Sequence, residues 1–412
     1  MANLTVAAHT LGCKVNQCDT DGLITELKNM GLTVKDFSEV ADIYIINSCT
    51  VTHTSDKKSR QMLRRAKKLN PSAFVALCGC MVKNATNINN ADFIFETRNP
   101  AEFYEKVKKL LPKNIEQTES ISTKTRTFIK IQDGCNRYCS YCIVPYVRGD
   151  NIISRPMAEI LATGAKLIKA GALEIVLTGI QVASYGDDLE KDNLSLLIKE
   201  MSALKGLKRL RLSSIDPWAV DDDFLNVVSN SPTLCDHFHL SLQSGSDTVL
   251  KLMNRRYTVN DYENAANRLR EIKPNCALTT DIIVGFPNET DNNFAETMAF
   301  AEKMAFAQVH VFEYSPRDKT PAATFENQVQ HKIKSERSFI MRELTSKLRQ
   351  DFLLKQIGKT VPVLFEKKFK GHTTNYCPVE LLDSNINLTN TIQMVKITGF
   401  TDNVLQGYIK GD

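Results

Sequence analysis

The sequence predicts an α/β protein in three parts. These are an N-terminal parallel α/β domain, a central partial or full β/α barrel, and a small C-terminal all-β barrel. In the first two parts short apolar strands alternate with helical patterns, whereas after residue 357 only short strands follow one another. The 412 residues leave room for about three domains. The expected boundaries are 1–115, 127–345 and 350–412.

The N-terminal part is expected to form a parallel sheet with crossover helices. Strands are predicted at 4–8, 41–46 and 73–77, where the apolar and β-branched residues are grouped. A basic helix is predicted at 55–69, since Pro71 ends the pattern. Strands that alternate with helices pair in parallel, so their carboxyl ends share one edge of the sheet.

Cysteines follow each of these three strands. Cys13 comes after the first, Cys49 after the second, and Cys78 and Cys80 after the third. Because the strand ends share one edge, three separated cysteine loops are expected to converge there. The strand ends alone do not choose between Cys78 and Cys80.

The second and third parts follow a polar segment, 112–127, which is predicted to be a linker. Six strands with intervening helices suit a partial or full β/α barrel, whose sites lie at the carboxyl ends of the strands. Barrel strands are predicted at 127–131, 173–178, 207–212, 237–242, 278–284 and 308–312, with helices such as 157–169 and 261–272. A long basic helix is predicted at 335–357, followed by strands at 360–365, 376–382, 394–398 and 404–409.

Composition favours a cytoplasmic protein that uses its cysteines for metal or redox chemistry. No apolar run reaches the roughly 18 residues of a membrane span, and no Lys or Arg precedes the mildly apolar N-terminus as an export signal requires. Eleven cysteines in a cytosolic chain point to metal or redox chemistry before disulfides.

Two basic segments suggest a polyanionic partner. Residues 57–68 hold seven Lys and Arg without an acid, and residues 331–370 hold eleven against four acids. Such clusters attract a phosphate backbone. A solvated helix face is the alternative for either segment.

The strongest motif is the triplet Cys135, Cys139 and Cys142. Thiolates are the ligands of iron–sulfur clusters, and three of them leave one iron of a [4Fe–4S] cluster open for a substrate or cofactor. A zinc knuckle is disfavoured because zinc normally takes four ligands, and the next cysteine is Cys235. A disulfide would leave one thiol over.

The string GCNRYCSYC after a strand resembles the radical S-adenosylmethionine enzymes. The longer string 133–149, DGCNRYCSYCIVPYVRG, is most similar to their methylthiotransferases. This resemblance implies that S-adenosylmethionine binds the open iron and that its reduction yields a 5′-deoxyadenosyl radical. It also implies a second [4Fe–4S] cluster on three N-terminal cysteines, matched here by Cys13, Cys49 and Cys80. The Gly-Cys pair of the family selects Cys80, so Cys78 is expected in the core.

The resemblance spans nearly the whole chain. The terminal strands resemble the RNA-binding TRAM domain, and TLGCKVN with GCNRYC is most like the branch that acts on N6-threonylcarbamoyladenosine at position 37 of tRNA. The implied partners are a tRNA anticodon stem-loop, a flavodoxin- or ferredoxin-type electron donor and a sulfur donor. The alternatives are a methylthiotransferase for an aspartate of a ribosomal protein, a non-catalytic iron–sulfur carrier, and a zinc-stabilised RNA-binding protein.

The resemblance also places the S-adenosylmethionine site at successive strand ends, as β/α barrels do. The expected contacts are Tyr141, Gly179, Gln181, Ser213, Ser214, Gln243, Arg255, Asp281 and Val284. Some of these residues have a structural alternative. Gly179, like Gly285, could serve only as a turn residue, and Ser213 and Ser214 could serve only as helix caps.

Two residues depart from the family pattern. Asp281 stands where many radical enzymes have Gly, and Lys319 replaces the Gly of the family string Tyr-Ser-x-Arg-x-Gly-Thr. The resemblance implies that the radical removes hydrogen from C2 of the adenine. Sulfur on the second cluster then attacks that carbon, and a second S-adenosylmethionine supplies the methyl group.

Overall fold

A computed structural model describes residues 4–83, 88–111, 124–382 and 387–410. The chain divides into two compact units. Unit 1 contains the N-terminal residues together with Asp133–Ile152 and Ser315–Ala323. Unit 2 contains Ile153–Tyr314 and the C-terminal residues from Thr324 onward, joined by the strand residues that precede Asp133. Most of the predicted linker, 112–123, lies outside the described residues.

Unit 1 is built on a five-stranded parallel sheet in the order β2-β1-β3-β4-β5. Its strands are β1 (Thr5–Thr10), β2 (Thr33–Lys35), β3 (Ile43–Ser48), β4 (Phe74–Gly79) and β5 (Phe93–Ile94). Its helices are α1 (Lys14–Asn29), α2 (His53–Leu69), α3 (Ala101–Leu110) and the short α4 (Val144–Arg148). Strand β3 is buried along its whole length because separate apolar clusters pack on both faces of the sheet.

Unit 2 contains a partial barrel of parallel strands. One sheet joins β6 (Arg126–Asp133), β7 (Ile153–Ser154), β8 (Glu174–Gly179) and β9 (Arg209–Leu212), and another joins β10 (His237–His239), β11 (Ala277–Val284) and β12 (Gln308–Glu313). Parallel bridges Leu210–Leu234 and Ile215–Leu240 connect the two sheets. The surrounding helices are α5 (Met157–Lys169), α6 (Leu194–Ser202), α7 (Asp222–Asn230), α8 (Asp247–Leu252), α9 (Val259–Ile272), α10 (Asp291–Met304) and α11 (His331–Leu354).

The chain ends in a closed five-stranded barrel. Its strands are β13 (Thr360–Lys367), β14 (Lys370–Thr373), β15 (Pro378–Leu381), β16 (Thr391–Thr401) and β17 (Val404–Ile409). Two buried arginines of β9 hold this barrel against the larger one. Arg209 donates to the carbonyls of His372 and Pro362, and Arg211 donates to that of Thr374. Glu174 pairs with both guanidinium groups and so compensates part of their buried charge.

The predicted fold class is confirmed in all three parts, and the differences concern element bounds. The predicted strand 237–242 ends at His239, because the residues after it form only isolated bridges. The long helix begins at His331 rather than 335. The short strands β2, β5, β7 and β14 were not predicted, since two to four residues carry little periodicity. Across the described residues, no helix is long and apolar enough to cross a membrane.

Candidate cluster and cofactor site

The predicted N-terminal cysteines converge on one side chain of unit 1, that of Asn16. The Asn16 Oδ1 atom lies 3.9 Å from Cys13 Sγ and 4.0 Å from Cys80 Sγ. Cys49 completes the group, because a Cβ atom on Gly12 would lie 2.9 Å from Cys49 Sγ and 3.3 Å from Asn16 Nδ2. The convergence predicted from the strand ends is therefore present. Three thiols in one place fit the ligand set of an iron–sulfur cluster.

Backbone geometry explains why these residues meet. Asn16 is fully buried, and its Nδ2 group donates to the carbonyls of Leu11 and Ser48, which ties the loops after β1 and β3 together. Gly79 has φ +89°, and a Cβ there would lie 2.4 Å from the Ser48 carbonyl oxygen. Only glycine fits at that position, so the Gly-Cys pair sets the direction of Cys80.

Cys78 lies in the core, as predicted. It is fully buried in β4 and belongs to the apolar cluster of Leu23 and Phe103, and burial raises the pKa of its thiol. Cys235, Cys276 and Cys377 are likewise buried, which is the ordinary setting of a small apolar side chain.

Arg148, from the end of α4, is buried beside the N-terminal cysteines. Its Nε group lies 3.4 Å from Cys80 Sγ, and its Nη2 group donates to Asn16 Oδ1 at 2.5 Å and to Asp19 at 3.0 Å. Its Nη1 group is 3.4 Å from Asp133, the residue that precedes the Cys135 loop. The Arg148 guanidinium therefore contacts both the N-terminal cysteine group and Asp133, at the start of the second cysteine loop.

Arg148 offsets part of the effect of burial on the Cys80 thiol. Burial raises the pKa of Cys80 to about 11, and the charge and hydrogen bond of Arg148 oppose that rise. Burial also disfavours the charge on Arg148, but Cys80, Asp19 and Asp133 together raise its pKa. A bound metal would supply further positive charge and deprotonate the thiol.

The triplet Cys135, Cys139 and Cys142 lies on a loop anchored at both ends. The Asp133 carboxylate accepts from the Gly134 N–H at 2.9 Å, and Arg98 holds the same carboxylate at 2.8 Å. The Cys135 N–H donates to the Gly149 carbonyl, and the Cys142 N–H donates to the Cys139 carbonyl. Backbone hydrogen bonds and the Asp133 carboxylate therefore hold the loop that carries the three cysteines. Tyr141, between the last two cysteines, is half-buried.

A segment distant in sequence packs against both cysteine regions of unit 1. The Ala322 N–H donates to the carbonyl of Ser140, inside the triplet. Arg317 donates to Thr50 and Asp56 at 2.7 Å, close to Cys49. Lys319 has φ +74°, in the left-handed region that favours glycine. The backbone therefore keeps the conformation that suits the family's Gly although a lysine stands there.

Two of the predicted cofactor contacts, Gln181 and Arg255, bond the same carboxylate in unit 2. Gln181 Nε2 donates to Asp216 at 2.6 Å, and Arg255 Nη2 donates to the other oxygen of the same carboxylate at 2.5 Å. Ser213 is buried at the end of β9, and its hydroxyl has no hydrogen-bond partner among the described residues. A buried hydroxyl without a partner is costly unless a ligand satisfies it.

The structural alternatives for these residues have mixed outcomes. The serines after β9 cap no described helix, since Asp221 caps the next long one, and Ser214 is exposed. Gly285 is a turn residue: its φ is +70°, and a Cβ would lie 2.4 Å from Lys334 Cγ. Gly179 has no such φ, although a Cβ there would lie 3.1 Å from the Gln132 carbonyl oxygen.

The two remaining predicted contacts on β11 point to opposite sides. The Val284 side chain is fully buried in the apolar core beneath the helices, so only its backbone could contact a ligand in the barrel. Asp281 lies on the other face of the strand. Gln243 pairs with β11 through backbone bonds to Asp281 and Ile283, with φ +69°.

The basic segments differ in how much positive charge they expose. On α2, Ser59, Leu63 and Ala66 are buried, so the opposite face carries most of the basic residues. Its exposed cations are Lys57, Lys58, Arg64, Arg65 and Lys68. On α11, by contrast, Lys334 and Arg337 are buried, with Lys334 donating to the Tyr314 carbonyl and Arg337 pairing with acids.

Sequence reasoning did not find Asn16, Arg148 or Arg317. Each lies in a motif already quoted for its cysteines or its family string, but none belongs to a residue type that binds a cluster. A buried Arg or Asn needs partners, and those partners become visible only when distant loops are brought together. Arg148 and Asn16, for example, are separated by 132 positions.

Comparison with known proteins gives the class first. Residues 129–301 match the radical SAM superfamily, and residues 5–95 match an uncharacterized protein family, UPF0004. The solved structure of the radical S-adenosylmethionine methyltransferase TsrM from Kitasatospora setae shares the fold, with a TM-score of 0.56 at 13% identity over 78% of this chain and 77% of that one. The chain is a radical S-adenosylmethionine protein, a class that uses a [4Fe–4S] cluster and S-adenosylmethionine.

The sequence relatives are more specific. Threonylcarbamoyladenosine tRNA methylthiotransferase MtaB of Bacillus subtilis is 36% identical, over 91% of this chain and 90% of the relative. The tRNA-2-methylthio-N(6)-dimethylallyladenosine synthase of Campylobacter jejuni is also 36% identical, over 97% and 98%. The chain therefore belongs to the radical S-adenosylmethionine tRNA methylthiotransferase family and resembles its MtaB members.

Proposed function

We propose that this enzyme converts N6-threonylcarbamoyladenosine at position 37 of tRNA to its 2-methylthio derivative, with two [4Fe–4S] clusters and S-adenosylmethionine. The observation that carries the proposal is the convergence of Cys13, Cys49 and Cys80 on Asn16, apart from the Cys135 triplet in sequence. A radical enzyme that only abstracts hydrogen needs one cluster. A second thiol group fits an enzyme that must also insert sulfur.

Each cysteine set has a distinct role in this proposal. Cys135, Cys139 and Cys142 would hold the cluster whose open iron binds S-adenosylmethionine, and Cys13, Cys49 and Cys80 would hold the second cluster, which carries the sulfur. When bound, the first cluster and its cofactor supply the radical that activates C2 of the adenine. Asn16 and Arg148 orient the thiol of Cys80 through the contacts described above.

The strand-end residues of unit 2 would bind S-adenosylmethionine. The Asp216 carboxylate, held by Gln181 and Arg255, suits a cationic amino group, and the Ser213 hydroxyl is available to a polar atom of the cofactor. Gly179, Ser214, Gln243, Asp281 and the backbone of Val284 complete the proposed site in unit 2. The family resemblance implies that Tyr141 contacts the adenine.

The anticodon stem-loop would be held mainly through its phosphates. The exposed face of α2 presents five cations within twelve residues, and the C-terminal barrel is the RNA-binding module that the family resemblance implies. The modified base must leave the loop stack to react. A flavodoxin- or ferredoxin-type protein would supply electrons, a separate donor would supply sulfur, and the reaction would take place in the cytoplasm.

Nucleoside analysis of tRNA from a deletion strain tests the proposal. We expect the 2-methylthio derivative of N6-threonylcarbamoyladenosine to disappear and its unthiolated precursor to accumulate. The wild-type gene should restore the product, whereas the Cys80→Ala variant should not. Cys78→Ala is the matched control, because that thiol is two residues away but faces the core. Loss of the dimethylallyl derivative instead, or unchanged tRNA, would contradict the proposed substrate.

A further inference from the structure

Three polar side chains of neighbouring barrel strands form a compact cluster in unit 2. His239 lies on β10, Asp281 on β11 and His310 on β12, and their nitrogen and oxygen atoms lie within 4.8 Å of one another. The strand register explains the grouping: Asp281 is directly paired with His310, and His239 is paired with the residue two positions before Asp281. All three therefore share one face of the sheet.

That face is the one turned away from the helices. The neighbours of the cluster residues along the strands, Phe238, Ile282 and Val311, pack into the apolar core that the helices cover. In a partial β/α barrel the face opposite the helices is the interior. His310 is exposed there, so a ligand can reach the cluster.

The cluster has a hydrogen-bonding group in need of a partner. Thr279 Oγ1 holds His239 Nδ1 at 3.0 Å and so fixes the ring orientation. The other ring nitrogen, Nε2, points toward Asp281 at 3.4 Å, yet it is buried and makes no hydrogen bond within the described parts of the chain. A buried polar atom of this kind is costly unless a ligand supplies the missing bond.

We propose that His239, Asp281 and His310 recognise the polar substituent on N6 of the target adenosine. This inference rests on the proposed function and goes beyond it by naming the residues that select the substrate. A threonylcarbamoyl group offers N–H and O–H donors to the Asp281 carboxylate. It also offers carbonyl and carboxylate acceptors to the two imidazoles. A dimethylallyl group has no polar atom and would leave the buried Nε2 atom of His239 without a hydrogen bond.

Sequence identity does not distinguish the threonylcarbamoyl from the dimethylallyl substrate, because one relative of each kind is 36% identical to the chain. The proposed selectivity would distinguish them. A site built to hydrogen-bond a substrate rejects an analogue that lacks those polar groups far more strongly than an apolar pocket rejects a polar analogue. The polar cluster therefore favours the threonylcarbamoyl substrate.

Binding of modified anticodon stem-loops to the reconstituted protein tests this assignment. Fluorescence anisotropy would compare stem-loops that carry threonylcarbamoyladenosine, dimethylallyladenosine or adenosine at position 37. We expect the wild-type protein to prefer the threonylcarbamoyl RNA by about tenfold or more. His239→Leu and His310→Leu should each remove most of that preference, while binding of the adenosine RNA is unchanged. Gln308→Leu, on the same strand and face as His310, is the matched control and should keep the preference.

The possible outcomes distinguish a failure of this assignment from a failure of the proposed function on which it rests. A wild-type preference that survives in both variants would overturn the assignment and leave the proposed function standing. A wild-type protein without any preference for the threonylcarbamoyl RNA would count against the proposed substrate itself. A preference that disappears when the wild-type protein is treated with a chelator would show that a metal ion on these three residues reads the substrate, which would also overturn direct recognition.

Discussion

Replacing Arg148 by Met should destabilise unit 1 strongly. The Arg148 guanidinium is 5% exposed, and it faces the carboxylates of Asp19 and Asp133, whose side chains are 5% and 7% exposed. Removing one partner of a buried ion pair leaves a charge without compensation and costs about 3–5 kcal/mol. Arg98 still pairs with Asp133, so Asp19 is the carboxylate left without its guanidinium. We therefore expect a loss of about 3 kcal/mol, at the lower end of that range.

Hydrogen exchange of the β3 amides as a function of urea measures this loss in unit 1 itself, with the protein held anaerobic. With a urea dependence of about 2 kcal/mol per M, the midpoint should fall by about 1.5 M. The urea midpoint should fall less for Arg148→Lys, because the positive charge remains and only the planar guanidinium with its several N–H donors is lost. Arg64→Met, on the exposed face of α2, is the control and should change the stability by no more than about 0.5 kcal/mol.

A second substitution decides whether the buried charge is the cause. Asp19→Asn should recover part of the stability in the Arg148→Met background, since the buried carboxylate that faced the lost guanidinium is then gone. If Arg148→Met costs less than about 1 kcal/mol, or if Asp19→Asn gives no recovery, the reasoning about this buried network is refuted.

Three further predictions follow from the same structure. Cys80→Ala should leave cleavage of S-adenosylmethionine to 5′-deoxyadenosine intact and stop sulfur insertion, whereas Cys78→Ala should permit both; methylthiolated product from Cys80→Ala would refute the assignment. Gly285→Ala should destabilise unit 2 by about 1–3 kcal/mol in thermal unfolding, because its φ is +70° and the added Cβ meets a lysine side chain of α11. The control Gly22→Ala, which has open space around it, should be neutral or stabilising. Arg64→Gln should weaken tRNA binding and reduce the slope of log affinity against log salt by about 0.9, and an unchanged slope would exclude a phosphate contact there.

The sequence was sufficient for the parts of the fold that repeat. Strand and helix alternation gave the architecture, and the rule that parallel strands end at one edge brought Cys13, Cys49 and the Cys78–Cys80 pair together before any coordinates. Between the last two predicted strands, Asp402 and Asn403 are residue types that favour turns, and both have positive φ.

The features that could not be predicted from the sequence depend on contacts between distant segments. Nothing in the local sequence of Arg148 or Arg317 shows that each packs beside a cysteine loop, because those loops lie 68 or more positions away. The cluster on β10, β11 and β12 escaped notice for a related reason. Its members lie on three strands, and only the register shows that they share a face. Local patterns report which face of an element is apolar, whereas a polar site needs the pairing of elements.

Iron and sulfide counting after anaerobic reconstitution tests the central claim, two clusters on two separate cysteine sets, most directly. The wild-type protein should bind about eight irons and eight sulfides per chain, and the variant with Cys13, Cys49 and Cys80 all changed to Ala should bind about four of each. The converse variant, with Cys135, Cys139 and Cys142 changed to Ala, should also retain about four. A wild-type protein that holds only about four irons, or that holds zinc in place of iron, would contradict the account.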